Sequence, residues 1–101
     1  MTIELTRFTA ADGEALLAAR PAMLADFAAD REGFRGARLV RLAGDEWLDL
    51  VEWADALALE ASRAKGGNLP GIRAFFAAID ALISSEAGED AALDEGSSPE
   101  S

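Results

Sequence analysis

In 101 residues this chain carries no histidine, no cysteine and no tyrosine. Imidazole and thiolate are the usual ligands of transition metals, and imidazole is the usual general base. Their absence removes most metal sites, His-based acid–base catalysis and every Ser–His arrangement. No metal and no cofactor is expected. Carboxylates, arginines, hydroxyls and two indoles remain. The stretch with most chemical content is Trp47-Leu48-Asp49-Leu50-Val51-Glu52-Trp53-Ala54-Asp55-Ala56-Leu57. Its period-two alternation runs to Trp53, and an alanine-rich helical run then begins at once. A strand therefore feeds a helix with almost no loop, and an indole sits at the joint. There Trp53 can line a pocket between sheet and helices and donate its N–H, or it can simply anchor the core. Trp47, Asp49, Val51 and Trp53 share one face. A buried Asp49 could act as a base, whereas an Asp49 paired with an arginine from a neighbouring strand would be structural. Arg38 and Arg41, on the preceding strand, could orient an anionic or phenolic substrate or remain solvated. Phe8, Phe27, Phe75 and Phe76 read as core, with one or two bordering a cavity.

These residues need elements to position them. Thr2 to Phe8 alternates, with Ile3 and Leu5 on one face and Glu4, Thr6 and Phe8 on the other, as in a strand. Thr9-Ala10-Ala11-Asp12 has the spacing of a capping box. A helix with Leu16, Leu17, Met23, Leu24 and Phe27 as its apolar stripe should follow. Pro21 predicts a kink near Arg20, or two short helices with Pro21 opening the second. Glu32-Gly33 ends that helix. Phe34–Leu42 is a second strand, Ala43-Gly44-Asp45 a hairpin connection, and Glu46–Trp53 a third strand. Asp55–Lys65 is helical and stops at Gly66-Gly67. Pro70 opens a further helix with Ile72, Phe75, Phe76 and Ile79 inward. Ala81–Ala87 reads as a last strand or as an extension of that helix.

The order is that of the split βαβ, ferredoxin-like α+β fold, with a four-stranded antiparallel sheet and helices on one face. The other face, where Leu5, Leu48, Leu50 and Ile83 could lie, would be bare in a monomer. A bare apolar face is an association surface, and two such sheets can stack into a homodimeric barrel.

The length fits one domain, taken as residues 1–87 with an acidic, disordered tail over 88–101. The net charge is −10, but it is uneven: of 19 acidic residues, six lie from Glu86 onward, where there is no base, and the other 13 face all nine bases. No basic surface is available for nucleic acid or an anionic membrane. Residues 1–8 lack the apolar core of a signal peptide, and no run approaches a membrane span, so a cytoplasmic location is expected. Lys65 is the only lysine and alanine is abundant, a composition that suits a GC-rich bacterial genome.

Three segments carry a resemblance. Glu32-Gly33-Phe34-Arg35-Gly36-Ala37 resembles the Pro-Gly-Phe-x-Gly entry to the second strand of antibiotic biosynthesis monooxygenase (ABM) domains. Trp53-Ala54-Asp55-Ala56 is similar to that family's Trp-x-Ser/Asp-x, which ends the third strand and opens the second helix. Phe75-Phe76-Ala77-Ala78-Ile79-Asp80 looks like the segment before its last strand. The likeness spans Thr2 to about Gly88. It implies a dimeric α/β barrel with a small-molecule pocket in each protomer. Some members oxygenate aromatic polyketide intermediates with molecular oxygen and no metal or flavin. Others degrade haem, but that branch needs an axial histidine, which is missing here.

Oxygenation without a cofactor requires a deprotonated, electron-rich substrate, donors for the developing oxyanion and a dry aromatic pocket. The resemblance assigns the donor to Trp53. The Asn that active members place opposite it corresponds to Thr6, which donates one hydrogen bond but lacks the paired donor and acceptor of an amide. Trp53, Thr6 and then Asp49 are thus the candidate catalytic residues, and Phe8, Phe27 and Phe76 the candidate pocket walls for a small hydrophobic or aromatic ligand. Two other readings stand beside this one: a non-catalytic homodimeric module that binds a ligand or partner, and a cyclase-like enzyme dependent on Asp49.

Overall fold

In the computed structural model, residues 1–92 are described. Seven elements follow one another: β1 (Thr2–Thr9), α1 (Gly13–Asp30), β2 (Phe34–Arg41), β3 (Glu46–Trp53), α2 (Ala56–Lys65), α3 (Pro70–Ala77) and β4 (Ala81–Glu89). All strand pairs are antiparallel, and the sheet runs β2-β3-β1-β4. This is the ferredoxin-like arrangement. Residues 81–87 are strand, not helix. The strand continues through Gly88 and Glu89, tied down where the Thr2 hydroxyl donates to Glu89 at 2.5 Å and Asp90 N–H donates to the Met1 carbonyl at 2.9 Å. The acidic tail expected from residue 88 lies outside the described residues from 93 onward.

Side-chain alternation sets the two faces of the sheet. On β3, Trp47, Asp49, Val51 and Trp53 are buried while the residues between them are half-buried. The register pairs Thr6 with Asp49, Phe8 with Trp47 and Thr2 with Trp53. Residues directly opposite across an antiparallel pair stand about 4.5–5.5 Å apart at Cβ, so β1 and β3 bring their inward chemistry together. Between β1 and β4 the register shifts at Arg7/Phe8: Ser84 faces Arg7 and Leu82 faces Phe8, which leaves Ile83 without a partner.

Three expectations for α1 need correction. Its cap is Asp12, whose carboxylate accepts from Ala15 N–H at 3.0 Å; Thr9 is still in β1. Pro21 neither splits the helix nor opens a second one: the 18-residue helix runs through it. Its buried residues, Leu16, Arg20, Met23 and Phe27, recur every three or four positions on both sides of the proline and hold the two halves to one surface. Pro21 and Leu17, whose carbonyl loses its intrahelical donor, are both exposed, so water can satisfy that oxygen. The same geometry removes Leu17 from the stripe: it is 50% exposed.

The main core gathers Phe8, Leu16, Met23, Phe27, Trp47, Ile72 and Phe75. A second cluster of Val51, Trp53 and Leu59 closes the end where β3 enters α2. Among the described residues no helix is long and apolar enough to cross a membrane.

Gly33, between α1 and β2, has φ +87, and a Cβ there would lie 2.6 Å from the Ala58 Cβ. Gly44 in the β2–β3 hairpin also has positive φ (+69) but nothing within 4 Å. Gly33→Ala is expected to cost about 2–4 kcal/mol, combining backbone strain with overpacking, and Gly44→Ala only about 1–2 kcal/mol from strain alone. Equal losses in urea denaturation would refute the close approach of α2 to Gly33.

Candidate functional site

A cavity of about 430 Å³ lies between the covered face of the sheet and the helices. Strands contribute Glu4, Thr6 and Phe8 from β1, Asp49 and Val51 from β3, and Leu82 and Ser85 from β4. The helical side contributes Met23 and Phe27 from α1, Ser62 and Arg63 from α2, Phe75 and Phe76 from α3, and the linking residues Arg31, Gly66 and Ile79. The wall is mostly apolar, with few polar groups. Among the described residues no helix covers the outer part of β4, where Leu82 is 62% exposed, and Phe76 stands half exposed at the rim.

Five of the six residues singled out in the sequence border this space: Thr6, Asp49, Phe8, Phe27 and Phe76. Trp53 does not. It is 1% exposed, packed edge-on against Phe27 and Phe34 with ring centroids at 6.0 and 5.8 Å. Its indole N–H donates to Glu4 Oε1 at 3.2 Å. Trp53 thus stands behind the wall, in contact with Phe27 and bonded to Glu4, and its one donor reaches the cavity through Glu4. The Thr6 hydroxyl has no protein partner among the described residues.

Asp49 is buried and paired, but its partner is not a strand arginine. Arg20, from α1, grips both carboxylate oxygens at 3.0 and 2.8 Å and lies over the Phe75 ring at 5.4 Å. The strand arginines are placed elsewhere. Arg38 pairs with Leu50 in the register and so lies on the open face. Arg41 stacks on Trp47 at 4.7 Å, and neither lines the cavity. Trp47 is core, its N–H donating to the Ala10 carbonyl at 3.2 Å. With both oxygens held by a guanidinium, Asp49 is poorly placed to accept a proton, which removes the main support for a cyclase.

Three charged residues of the wall, Glu4, Arg63 and Arg31, were not singled out in the sequence. Glu4 was legible as an inward position beside Thr6. Arg63 sits on α2 with its Nε 3.6 Å from Glu4 Oε2. Arg31, just past the end of α1, looks like a helix-end charge in the sequence but is buried. It donates to Ser62 Oγ (2.9 Å), Asp30 (2.8 Å), Asn68 Oδ1 (2.6 Å) and the Gly66 carbonyl (2.6 Å). This knot pins α1 to the α2–α3 link. The Asn68 amide, with Lys65 and Arg31, holds the Asp30 carboxyl below its ordinary value. Beyond Arg31 and Ser62 lies a second, more open depression of about 460 Å³, between the end of α1 and α2. Among the described residues no three acidic side chains converge as a metal site would need.

The buried pair gives a stability test. Breaking it from either side, with Arg20→Met or Asp49→Leu, is expected to cost about 3–5 kcal/mol, because one charge is left buried and alone. The double variant should recover most of that loss in urea denaturation. Additive losses would show that the two side chains do not act as a pair.

No family model and no curated protein matches this sequence. Solved structures do match. SnoaB, a cofactor-independent oxygenase from Streptomyces nogalater, superposes with a TM-score of 0.65 at 26% identity, over 94% of this chain and 95% of its own. A protein from Chloroflexus aurantiacus named for the antibiotic biosynthesis monooxygenases gives 0.62 at 18% identity over 93% and 96%. A similarly named protein from Caulobacter crescentus gives 0.65 at 14% over 90% of both chains. The chain has the fold of the antibiotic biosynthesis monooxygenases.

Proposed function

We propose that this chain, built on the ABM fold, binds a small aromatic molecule in the cavity beneath α1 and oxygenates it without a cofactor, with aromatic polyketide-type compounds as the substrate class. The observation that carries this reading is the cavity itself. Its volume falls within the range of about 300–1,000 Å³ usual for small-molecule sites. Its walls are aromatic and aliphatic, and a few polar groups, Thr6 and Glu4 among them, converge on it. The likeness to a cofactor-independent oxygenase adds weight.

An anthrone-type substrate would supply the electrons. Loss of a proton leaves a carbanion that reduces dioxygen and forms a carbon–oxygen bond. The resulting hydroperoxide loses water to give a ketone. A CH₂ group and O₂ thereby become C=O and H₂O, with no external reductant. The protein's part is to hold the substrate dry, orient its oxygen and receive the proton. Thr6 can donate one hydrogen bond to the substrate. Trp53 acts through Glu4, whose carboxylate it fixes.

Oxygen uptake with an anthrone should exceed the spontaneous rate, with one O₂ consumed per substrate. Ser85→Trp, which fills the cavity from the exposed β4 edge, should abolish the excess. Uptake unchanged in that variant would place the chemistry elsewhere. The rival reading is a non-catalytic ligand-binding module, favoured by the sequestration of the Trp53 N–H inside the wall. It predicts ligand binding with no uptake at all.

The proposal includes a homodimer through the open sheet face, where Leu5, Leu48 and Leu50 are only half-buried and no helix among the described residues covers them. Light scattering at micromolar concentration should give twice the chain mass, and Leu50→Lys should halve it. A monomeric parent protein would reject the sheet-to-sheet dimer.

A further inference from the structure

We propose that Glu4 and Arg63 are the acid–base couple of this cavity: Glu4 takes the proton from a phenolic or enolic hydroxyl of the ligand, and Arg63 pairs with the oxyanion left behind. The inference rests on the cavity's being the ligand site, and it names the ligand class as a neutral aromatic molecule with an acidic hydroxyl.

The wall contains two carboxylates, Glu4 and Asp49, and two guanidiniums, Arg31 and Arg63. One of each is committed. Asp49 has both oxygens in the bidentate grip of Arg20, and Arg31 is spent on four acceptors. The remaining two are only partly engaged and face each other. Glu4 Oε1 is fixed by the Trp53 N–H, which leaves Oε2 without a hydrogen bond among the described residues. Arg63 Nε stands 3.6 Å from that oxygen, too far for a hydrogen bond but close enough for attraction. The Glu4 side chain is 19% exposed and that of Arg63 48%, so the acceptor is inside and the cation comes from the mouth.

A hydroxyl entering between them can donate to Glu4 Oε2 while its oxygen accepts from Arg63. On transfer the O–H bond breaks, the proton goes to Oε2 and the electron pair stays on the ligand oxygen. One negative charge moves from Glu4 to the ligand, and Arg63 keeps its positive charge and changes partner. The site's net charge is unchanged, so no ion has to enter or leave a largely apolar space. When the hydroxyl is the enol of an anthrone, the anion left by this step is the same one that loss of the CH₂ proton would give, the electron-rich anion that the proposed oxygenation needs.

The test uses alizarin, a hydroxyanthraquinone that is yellow when neutral and red when ionised, and that is already at the oxidation level of a product. The protein should bind it in the red form with no net proton release, as measured calorimetrically in buffers of different ionisation enthalpy. Arg63→Gln should still bind it, with the ratio of ionised to neutral form lowered about tenfold, and Arg63→Lys should restore much of the colour. Glu4→Gln should bind the red form but release one proton to the buffer, because the internal acceptor is gone. A yellow complex with the parent protein, an ionised-to-neutral ratio undiminished in Arg63→Gln, or proton release from the parent protein would each overturn the couple and leave the cavity reading intact. Failure of alizarin to bind, or undiminished binding by Ser85→Trp, would instead overturn the cavity reading, and the couple with it.

Discussion

A carboxylate in the middle of the covered face of a sheet has to be neutralised from the layer above it, and here Arg20 does this for Asp49. Much of the architecture follows from that pair. Asp49 lies on the buried face because β3 alternates, and it cannot turn toward water without breaking the register. Arg20 must therefore project from α1 onto the sheet, in line with Leu16, Met23 and Phe27. That requirement keeps α1 a single helix despite Pro21, since a break at residue 20 would swing the guanidinium away from its partner. The desolvation cost of two buried charges is offset by bidentate geometry and by the Phe75 ring beneath the guanidinium.

The pair also determines what the cavity can do. A carboxylate held on both oxygens is a structural anion and an ordered part of the wall. With Asp49 committed to Arg20 and Arg31 committed to the Asp30–Asn68–Gly66 knot, the cavity's free polarity is reduced to Thr6, Ser85, Glu4 and Arg63. A mostly apolar pocket with a few convergent polar groups binds by burial and orients by hydrogen bonds. Trp53 belongs to this logic in an indirect way. Its ring closes the second core cluster, and its one donor positions Glu4, so it serves the fold and the site together.

The cavity's outer side depends on strand β4, which no helix among the described residues covers along its exposed edge. The register shift beside Phe8 leaves Ile83 unpaired and turns Leu82 and Ser85 toward the cavity. The edge strand thus forms part of the pocket and also bounds a sheet whose far side bears half-buried leucines. A second sheet stacked on that far side would protect those leucines without blocking the cavity, which opens on the opposite face.

Much of this was legible in the sequence, and the reason is local. Period-two alternation is a property of neighbouring residues, so the strands, their inward faces and the ferredoxin-like order could be read directly. The abrupt passage from Trp53 into α2, with Asp55 capping at 2.9 Å to Ala58 N–H, could be read in the same way. The inward positions on β1 and β3 led to Phe8 and Asp49 at the cavity, and the family resemblance led to Thr6. Pairings between elements distant in sequence could not be read. Arg20 with Asp49, Arg63 with Glu4 and the fourfold bonding of Arg31 join residues whose proximity exists only once α1 and α2 are packed on the sheet. Which arginine is buried, which carboxylate is left free and where an indole N–H points are decided by that packing, because side chains of the same chemistry differ there only in what stands beside them. The sequence by itself determined the elements, their faces and the kinds of side chain available for chemistry; the tertiary structure alone decided which of those side chains were used up in holding the layers together and which remained for a ligand.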